Sequence, residues 1–327
     1  MNNQTPLVSI NCLVYNHELY LRDCFEGFVI QKTNFVFEIL VHDDASTDHS
    51  ADIIREYTMK YPELFRPIFQ TENQYSKGKG FVGLDINNRR AKGIYIALCE
   101  GDDYWIDPYK LQKQVDFLEK NPDYGLVYTN YQIIDQSLKI KKAIDTNKCF
   151  SGNVLNKLIE YNFIATLTVC FRSSVLTNVD FKETSTFLMG DYPMWLQIAK
   201  VSMIHYMSDV TAVYRSLNES ACHSTSFEKN ESFWLSNLTI QLYYLKKFKI
   251  EDISEEKIKE TNYTTLLNFS LSYRNYSKSR EYADMLPLNN TAVILKYFIT
   301  RNKFVFNVII EIIRVGFRII KKAKGLC

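Results

Sequence analysis

Apolar and polar positions follow two rhythms along the first half of the chain. Leu7 to Val14 (LVSINCLV) is a short apolar run rich in β-branched residues, the pattern of a buried strand. Leu21 to Ile30 has helical spacing. Phe37 to Val41 predicts a second strand that stops at His42-Asp43-Asp44. Asp48 to Tyr61 predicts a helix with Ile53, Ile54 and Tyr57 on one face and Thr47 or Asp48 as N-cap. Pro67 to Gln70 reads as a third strand, Phe81 to Lys92 as a helix, and Ile94 to Leu98 as a fourth strand ending at Glu100-Gly101-Asp102-Asp103. Asp107-Pro108 opens a helix through Leu118, with Pro at its first position, and Gly125 to Ile134 is another strand.

Strands alternating with helices of this length predict an α/β fold with a mainly parallel sheet covered on both faces. Ligands of such sheets bind beyond the carboxyl ends of the strands. Those ends carry Tyr15-Asn16, Asp43-Asp44 and Asp102-Asp103, so three polar clusters converge on one edge. The pattern weakens from Lys139 to Asn162. Ile164 to Phe171 then predicts a strand, Tyr192 to Lys200 a helix and Ile204 to Tyr214 a strand pair. From Glu228 onward the spacing is helical throughout, and no internal repeat is present.

Composition narrows the class. With 327 residues, 46% hydrophobic and 23% charged, the chain is long enough for a catalytic domain plus a smaller one and is not a disordered sequence. A net charge of +2 argues against a nucleic-acid binder. The charge is unevenly spread: Lys296 to Lys324 holds eight Lys and Arg against Glu311 alone, leaving 31 basic and 36 acidic residues in the first 295. A mildly acidic body with a basic tail points to an anionic surface as partner, most simply a membrane. The seven cysteines, at 12, 24, 99, 149, 170, 222 and 327, form no CxxC pair, so neither a disulfide framework nor a zinc site is indicated. The polar start, Met1 to Pro6, gives no signal peptide, and reduced, cytoplasmic residence is the expectation.

Two adjacent carboxylates at a strand end, Asp102-Asp103, repel each other unless a cation sits there. Mg²⁺ or Mn²⁺ with a diphosphate answers that need, since these ions bind through one or two carboxylates plus phosphates. The alternative is helix capping ahead of Asp107-Pro108. Asp43-Asp44-Ala45-Ser46-Thr47-Asp48 has the same two readings, a capping turn or hydrogen bonding to a base or ribose. Gly78-Lys79-Gly80-Phe81-Val82-Gly83 matches GxGxxG by letter, but it neither ends the first strand nor opens a helix in one tight turn, so a dinucleotide fingerprint is rejected.

Val8-Ser9-Ile10…Val14-Tyr15-Asn16, then Val41 to Asp48, then Glu100-Gly101-Asp102-Asp103-Tyr104-Trp105 resemble the family 2 glycosyltransferases in order and spacing, over roughly residues 6 to 220. The resemblance implies a GT-A-type, Rossmann-like sheet flanked by helices and a nucleotide-sugar donor. It implies a catalytic domain over 1–225, its nucleotide half about 1–125 and its acceptor half 126–225, followed by a helical region over 226–327. By position Tyr15 would lie against the base with Asn16 in the same site, and Asp44 would accept from the base. Asp102 would face the ribose, Asp103 would hold the metal, and Lys79 would stand near the nucleotide. Asp191, in Met189-Gly190-Asp191-Tyr192-Pro193-Met194-Trp195, looks like the family's catalytic base, with an N-cap as the alternative. His223 is a second metal candidate, although relatives carry a His closer to the Arg that Arg215 matches. Ala45 stands where the family often has Gly, and Glu100 where it often has Asp.

The expected activity is therefore inverting transfer of a sugar, from a UDP-sugar by preference, to a saccharide or lipid-linked acceptor in surface polysaccharide synthesis. A sugar-1-phosphate nucleotidyltransferase is one competitor, but Val14-Tyr15-Asn16-His17-Glu18-Leu19 lacks the Gly-rich, Arg-containing loop it needs. An inactive membrane-associated binding protein is the other. In the tail, Lys296, Thr300, Lys303, Asn307, Glu311, Arg314, Arg318 and Lys321 or Lys322 predict a polar stripe on an otherwise apolar helix. Its expected place is in the plane of the inner face of the cell membrane, with packing on the protein or on a second copy as alternatives.

Overall fold

The structure, a computed structural model of the chain, describes residues 4–77, 82–135, 139–143, 146–217, 226–289 and 291–312. The chain divides into two compact units, 1–218 and 219–327. The first alternates β1 (Val8–Val14), α1 (Leu21–Val29), β2 (Phe37–Asp43), α2 (Ser50–Lys60), β3 (Phe65–Phe69), α3 (Val82–Arg90) and β4 (Tyr95–Leu98). It continues through β5 (Tyr104–Trp105), α4 (Lys110–Lys120), β6 (Tyr124–Asp135), β7 (Ile140–Ala143), α5 (Leu155–Glu160), β8 (Cys170–Arg172), α6 (Phe181–Thr184), α7 (Asp191–Val201) and β9 (Met203–Ser216).

These strands form one sheet in the order β3-β2-β1-β4-β8-β6-β9-β5, with β7 on β6. The first four are parallel, and of these β1, β2 and β4 are buried, as strands covered on both faces are. β8 then runs antiparallel to both β4 and β6, while β6 and β9 are parallel to each other. The parallel character therefore belongs to the N-terminal half of the sheet, and the other half is mixed.

β1 lies near the centre. Val8, Ile10, Cys12 and Val14 join Phe25, Phe28, Ile39, Val41, Ile54, Tyr57 and Trp105 in one buried cluster. Two of its alternate residues are polar yet also buried, and they are paired: Ser9 Oγ donates to Glu38 at 2.7 Å and Asn11 Nδ2 to Asn88 at 3.1 Å.

Three sequence expectations are corrected. Ile164 to Phe171 is not a strand throughout: Thr166–Thr168 is a 3₁₀ turn, and only Cys170–Arg172 pairs. The Leu167 carbonyl accepts from Trp105 Nε1 at 2.8 Å, which a continuous ladder would not permit. Ile204 to Tyr214 is not a hairpin but part of the single strand β9, whose register against β6 shifts around Thr129–Tyr131. α4 begins at Lys110, two residues after Pro108, because Asp107 Oδ1 accepts from the Tyr109 N–H at 2.9 Å and forms a turn first.

The second unit holds α8 (Phe227–Lys247), α9 (Glu255–Ser272), α10 (Tyr276–Asp284) and α11 (Thr291–Ile299). Ser226, Ser254 and Asn275 cap the first three by accepting from the N–H three residues on. Leu266, Leu267, Tyr282, Ala283, Leu286 and Val293 form their core. The expected single amphipathic tail helix is interrupted: helix resumes only at 303–312, where Asn302 Oδ1 accepts from Phe304 and Val305 N–H at 2.9 and 3.2 Å. Thr300, placed on the polar stripe by spacing, is fully buried, and Glu311 pairs with Arg274. Among the described residues, no helix is long and apolar enough to cross a membrane. Arg314, Arg318 and the rest of the tail lie outside the described residues.

Candidate active site

The carboxyl ends of β1, β2 and β4 meet in a set of turns that hold one another. β2 runs two residues further than its apolar run, so Asp43 is buried within it and accepts from Ser46 Oγ at 2.5 Å. The chain then turns through Ala45 at φ 61°, facing Asn16 at φ 56°. Asn tolerates this left-handed region, and Ala does so at a cost. Asn16 Oδ1 accepts from the Thr47 N–H at 2.8 Å, its own N–H donates to Ser46 Oγ at 3.0 Å, and Asp44 N–H donates to the Val14 carbonyl at 2.9 Å. Asp44 in turn accepts from the Gln74 and Tyr75 N–H groups at 2.8 and 3.0 Å, fixing the loop after β3. Tyr15 projects from this edge, 43% exposed.

The acidic turn after β4 is tied to β1 by the Gly101 N–H, which donates to the Leu13 carbonyl at 2.9 Å. A Cβ at 101 would come within 2.8 Å of His17 Nδ1 and 3.0 Å of Leu21 Cδ1, so any larger residue would make these side chains shift. His17 Nε2 lies 4.0 Å from Asp102, whose side chain is partly exposed. Asp103 is only 3% exposed, and its Oδ1 accepts from the Arg215 N–H at 2.8 Å. Trp105 anchors the far side of the turn in the core. A Cβ at Gly27 on α1 would lie 2.7 Å from the Trp105 carbonyl oxygen, so the helix meets this backbone directly.

Burial and mutual repulsion shape the electrostatics. Burial first, then the charges of Asp102 and Asp191, pushes the Glu100 carboxyl up to about 8. Burial, then Asp102 and Glu100, raises Asp103 well above the usual carboxylate range, against the opposing bond from Arg215. Asp191 opens α7; its Oδ2 accepts from Thr166 Oγ1 at 3.0 Å and its Oδ1 from the Tyr192 N–H at 2.8 Å. Burial raises Asp191 too, a direction that suits a proton acceptor. Its side chain bonds Thr166 and the adjacent N–H rather than the N–H two or three residues on, so it is not an ordinary cap.

Tyr15, Asn16 and Asp44 therefore share one edge of the sheet. Asp102 and Asp103 stand on the neighbouring turn, with Asp191 near enough to act on Glu100. Lys79 and His223 lie outside the described residues. Sequence reasoning passed over His17, Thr166 and the full role of Arg215. Among the described residues, no three His, Cys, Asp or Glu side chains are grouped to hold a metal ion.

The sequence model of glycosyl transferase family 2 matches residues 9–178, just over half of the chain and the stretch that carries both acidic turns. The chain belongs to that family. Its fold is of the GT-A type. An uncharacterised protein of Mycobacterium tuberculosis is 32% identical over 232 residues, 69% of this chain, and the match spans 63% of that relative's length. A Bacillus subtilis protein, TuaG, named as a teichuronic acid biosynthesis glycosyltransferase, is 26% identical over 249 residues, 75% of this chain and 93% of its own. Among solved structures, S. aureus TarS 1–349 in complex with UDP-GlcNAc superposes with a TM-score of 0.59 at 16% identity, covering 94% of this chain and 92% of that one. The mannosyltransferase PcManGT of Pyrobaculum calidifontis, in complex with GDP-Man and Mn²⁺, gives 0.55 at 15%, covering 94% and 87%. At these identities the two structures speak to the fold.

Proposed function

We propose that this glycosyltransferase moves a sugar, with inversion, from a nucleoside-diphosphate donor to an acceptor hydroxyl. The observation that carries the reading is the crowding of Glu100, Asp102 and Asp103 with Asp191 at one end of the sheet, where the charges of Asp102 and Asp191 raise Glu100 and those of Asp102 and Glu100 raise Asp103. Tyr15 and Asn16 would receive the base, and Asp44 holds the loop after β3 next to them. UDP is the preferred nucleotide, supported by the UDP-GlcNAc complex of TarS, while the GDP-Man complex of PcManGT keeps other donors open to test.

The donor set fits a divalent cation: hard carboxylate oxygens, strong mutual repulsion, and a single buried guanidinium aimed at a carbonyl and at Asp23 rather than at the Asp102 and Asp103 carboxylates. Asp103 and Asp102 would hold Mn²⁺ or Mg²⁺, with donor phosphates completing the shell. A bound cation would neutralise the departing diphosphate. Asp191 receives the acceptor hydroxyl's proton, and Thr166 orients its carboxylate for that transfer. Asp191→Asn keeps the size and loses the proton acceptor. Donor affinity should stay within a few-fold while the transfer rate falls about a hundredfold or more. Transfer preserved within a few-fold would remove Asp191 from the mechanism.

We further propose that the acceptor is saccharide or lipid-linked, in surface polysaccharide synthesis, and that the chain is cytoplasmic and peripheral at the inner face of the membrane. The setting is supported by the naming of TuaG. The membrane reading rests on the C-terminal unit, where Leu295, Phe298, Phe304, Val305, Val308 and Ile312 are exposed beside the excess of basic residues in the tail. Phe304 is 77% exposed. The full chain should sediment with anionic liposomes, and Phe298→Asp with Phe304→Asp should abolish this without loss of helicity. A full chain that ignores anionic liposomes would overturn the reading, and self-association in its place would assign the face to a second copy.

A further inference from the structure

Arg215 is buried at the end of β9, 5% exposed, and its backbone N–H and both Nη groups are engaged. Its N–H donates to Asp103 Oδ1 at 2.8 Å. Nη1 donates to the Asp102 carbonyl oxygen at 2.7 Å and Nη2 to Asp23 Oδ2 at 2.5 Å. The guanidinium lies over the Tyr104 ring at 4.3 Å and near the Tyr20 ring at 5.1 Å. One residue thus joins α1, the segment before it, the acidic turn and β9.

A buried cation beside two carboxylates would ordinarily pair with one of them. Here the side chain takes the backbone carbonyl of Asp102 and the largely exposed carboxylate of Asp23, leaving the Asp102 carboxylate toward His17. A planar fork with rings on its faces has its orientation fixed, so the peptide it holds is fixed as well. We propose that Arg215 is a positioning residue for the donor's charged end. It locks the Asp102–Asp103 backbone so that both carboxylates are presented together, and it does so without neutralising either by a side-chain ion pair. The inference deepens the donor reading above and rests on it.

The test uses calorimetric titration of the full chain with UDP in Mn²⁺, with UDP in a chelator, and with uridine. Arg215→Lys keeps the charge and removes the fork. Asp23→Asn removes the outer anchor without touching the acidic turn. The expected result for Arg215→Lys is a loss of about tenfold or more in Mn²⁺-dependent UDP affinity, the scale of one charge-assisted hydrogen bond, with uridine affinity unchanged. Asp23→Asn should show a smaller loss in the same quantity. Equal weakening of uridine and of UDP with Mn²⁺ would mean general damage and overturn the inference, as would an unchanged Mn²⁺-dependent affinity. Should Arg215→Lys fail to fold, Asp23→Asn decides: an unchanged Mn²⁺ dependence there refutes the positioning role. A wild-type chain with no Mn²⁺-dependent gain for UDP brings down the donor reading itself, and the inference with it.

Discussion

Glu100→Gln should stabilise the metal-free protein, and increasingly so as the pH rises. The Glu100 carboxyl titrates near 8 in the folded chain against an ordinary 4.5, first through burial and then through the charges of Asp102 and Asp191. A group whose folded value is raised binds its proton more tightly when folded. Its contribution is complete below 4.5 and is lost as the pH climbs through 8. The shift corresponds to about 5 kcal/mol in all, of which ~3.5 kcal/mol disappears between pH 5 and pH 8. Gln keeps the shape and has nothing to titrate, so the difference between variant and wild type should grow by about that amount over the same interval. Urea unfolding at pH 5, 6.5 and 8 in chelator measures it. A Trp234→Phe background leaves the buried Trp105 and Trp195 to report on the N-terminal unit. Saturating Mn²⁺ should shrink the gap, because a cation relieves the repulsion that the substitution removes. Parallel pH profiles for the two proteins in chelator would refute the reasoning and show that solvent or backbone dipoles already stabilise the ionised Glu100.

Ala45→Gly should raise stability by about 1 kcal/mol, because φ 61° strains any residue with a Cβ; chemical denaturation reads this, and no gain would mean the turn relaxes in solution. Lys110 is fully buried, touching Gln114 and the Trp105 ring, and burial lowers it to about 8 from 10.5. The cost of burying it is therefore complete below pH 8 and is relieved between 8 and 10.5, so stability relative to Lys110→Met should rise by about 3 kcal/mol across that window. Native protein should leave Cys12, Cys24, Cys99 and Cys170 unlabelled by a thiol reagent at pH 8, since all four are buried and burial raises Cys24, Cys99 and Cys170. Mass spectrometry after brief labelling checks this.

The strands that carry the site were legible because buried apolar residues dominate β1, β2 and β4, and the polar interruptions, Ser9, Asn11 and Glu38, are too few to hide the pattern. The last two residues of β2 were not, since His42 and Asp43 are polar yet buried inside the strand. Ser208-Asp209 interrupts the apolar stretch that reads as a strand pair, yet β9 continues through it with a shift of register against β6, and Lys113 pairs with Asp209. The acidic turns were legible as motifs, and their order along the chain carried the resemblance. Arg215 was visible only as a letter: its partners Asp23, Tyr20, Tyr104 and Asp102 are more than a hundred residues away in sequence, and no local pattern brings them together. Thr166 was hidden in the same way by its distance from Asp191.

Besides Arg215, what holds the repelling carboxylates in place is largely apolar. The turn hangs between the N–H of Gly101 on the Leu13 carbonyl and Trp105 in the core. Beneath it lie three buried thiols, of which Cys24 and Cys99 offer weak donors to the Glu100 carbonyl at 3.5 and 3.6 Å. Such a floor gives almost no electrostatic relief. Carboxylates on a flexible loop would separate or take up counterions; here separation would pull Trp105 from its pocket, at a cost of a few kcal/mol for an aromatic of that size. The repulsion therefore stays in the folded chain, concentrated where the donor's cation would bind. Binding that relieves it gains what a relaxed loop would already have given up, and the preorganised charge acts without reorganising as the diphosphate departs. On this argument the apolar contacts of Trp105 and Gly27 belong to the function as much as the carboxylates do. Loosening them should weaken cation-dependent nucleotide binding before it unfolds the protein.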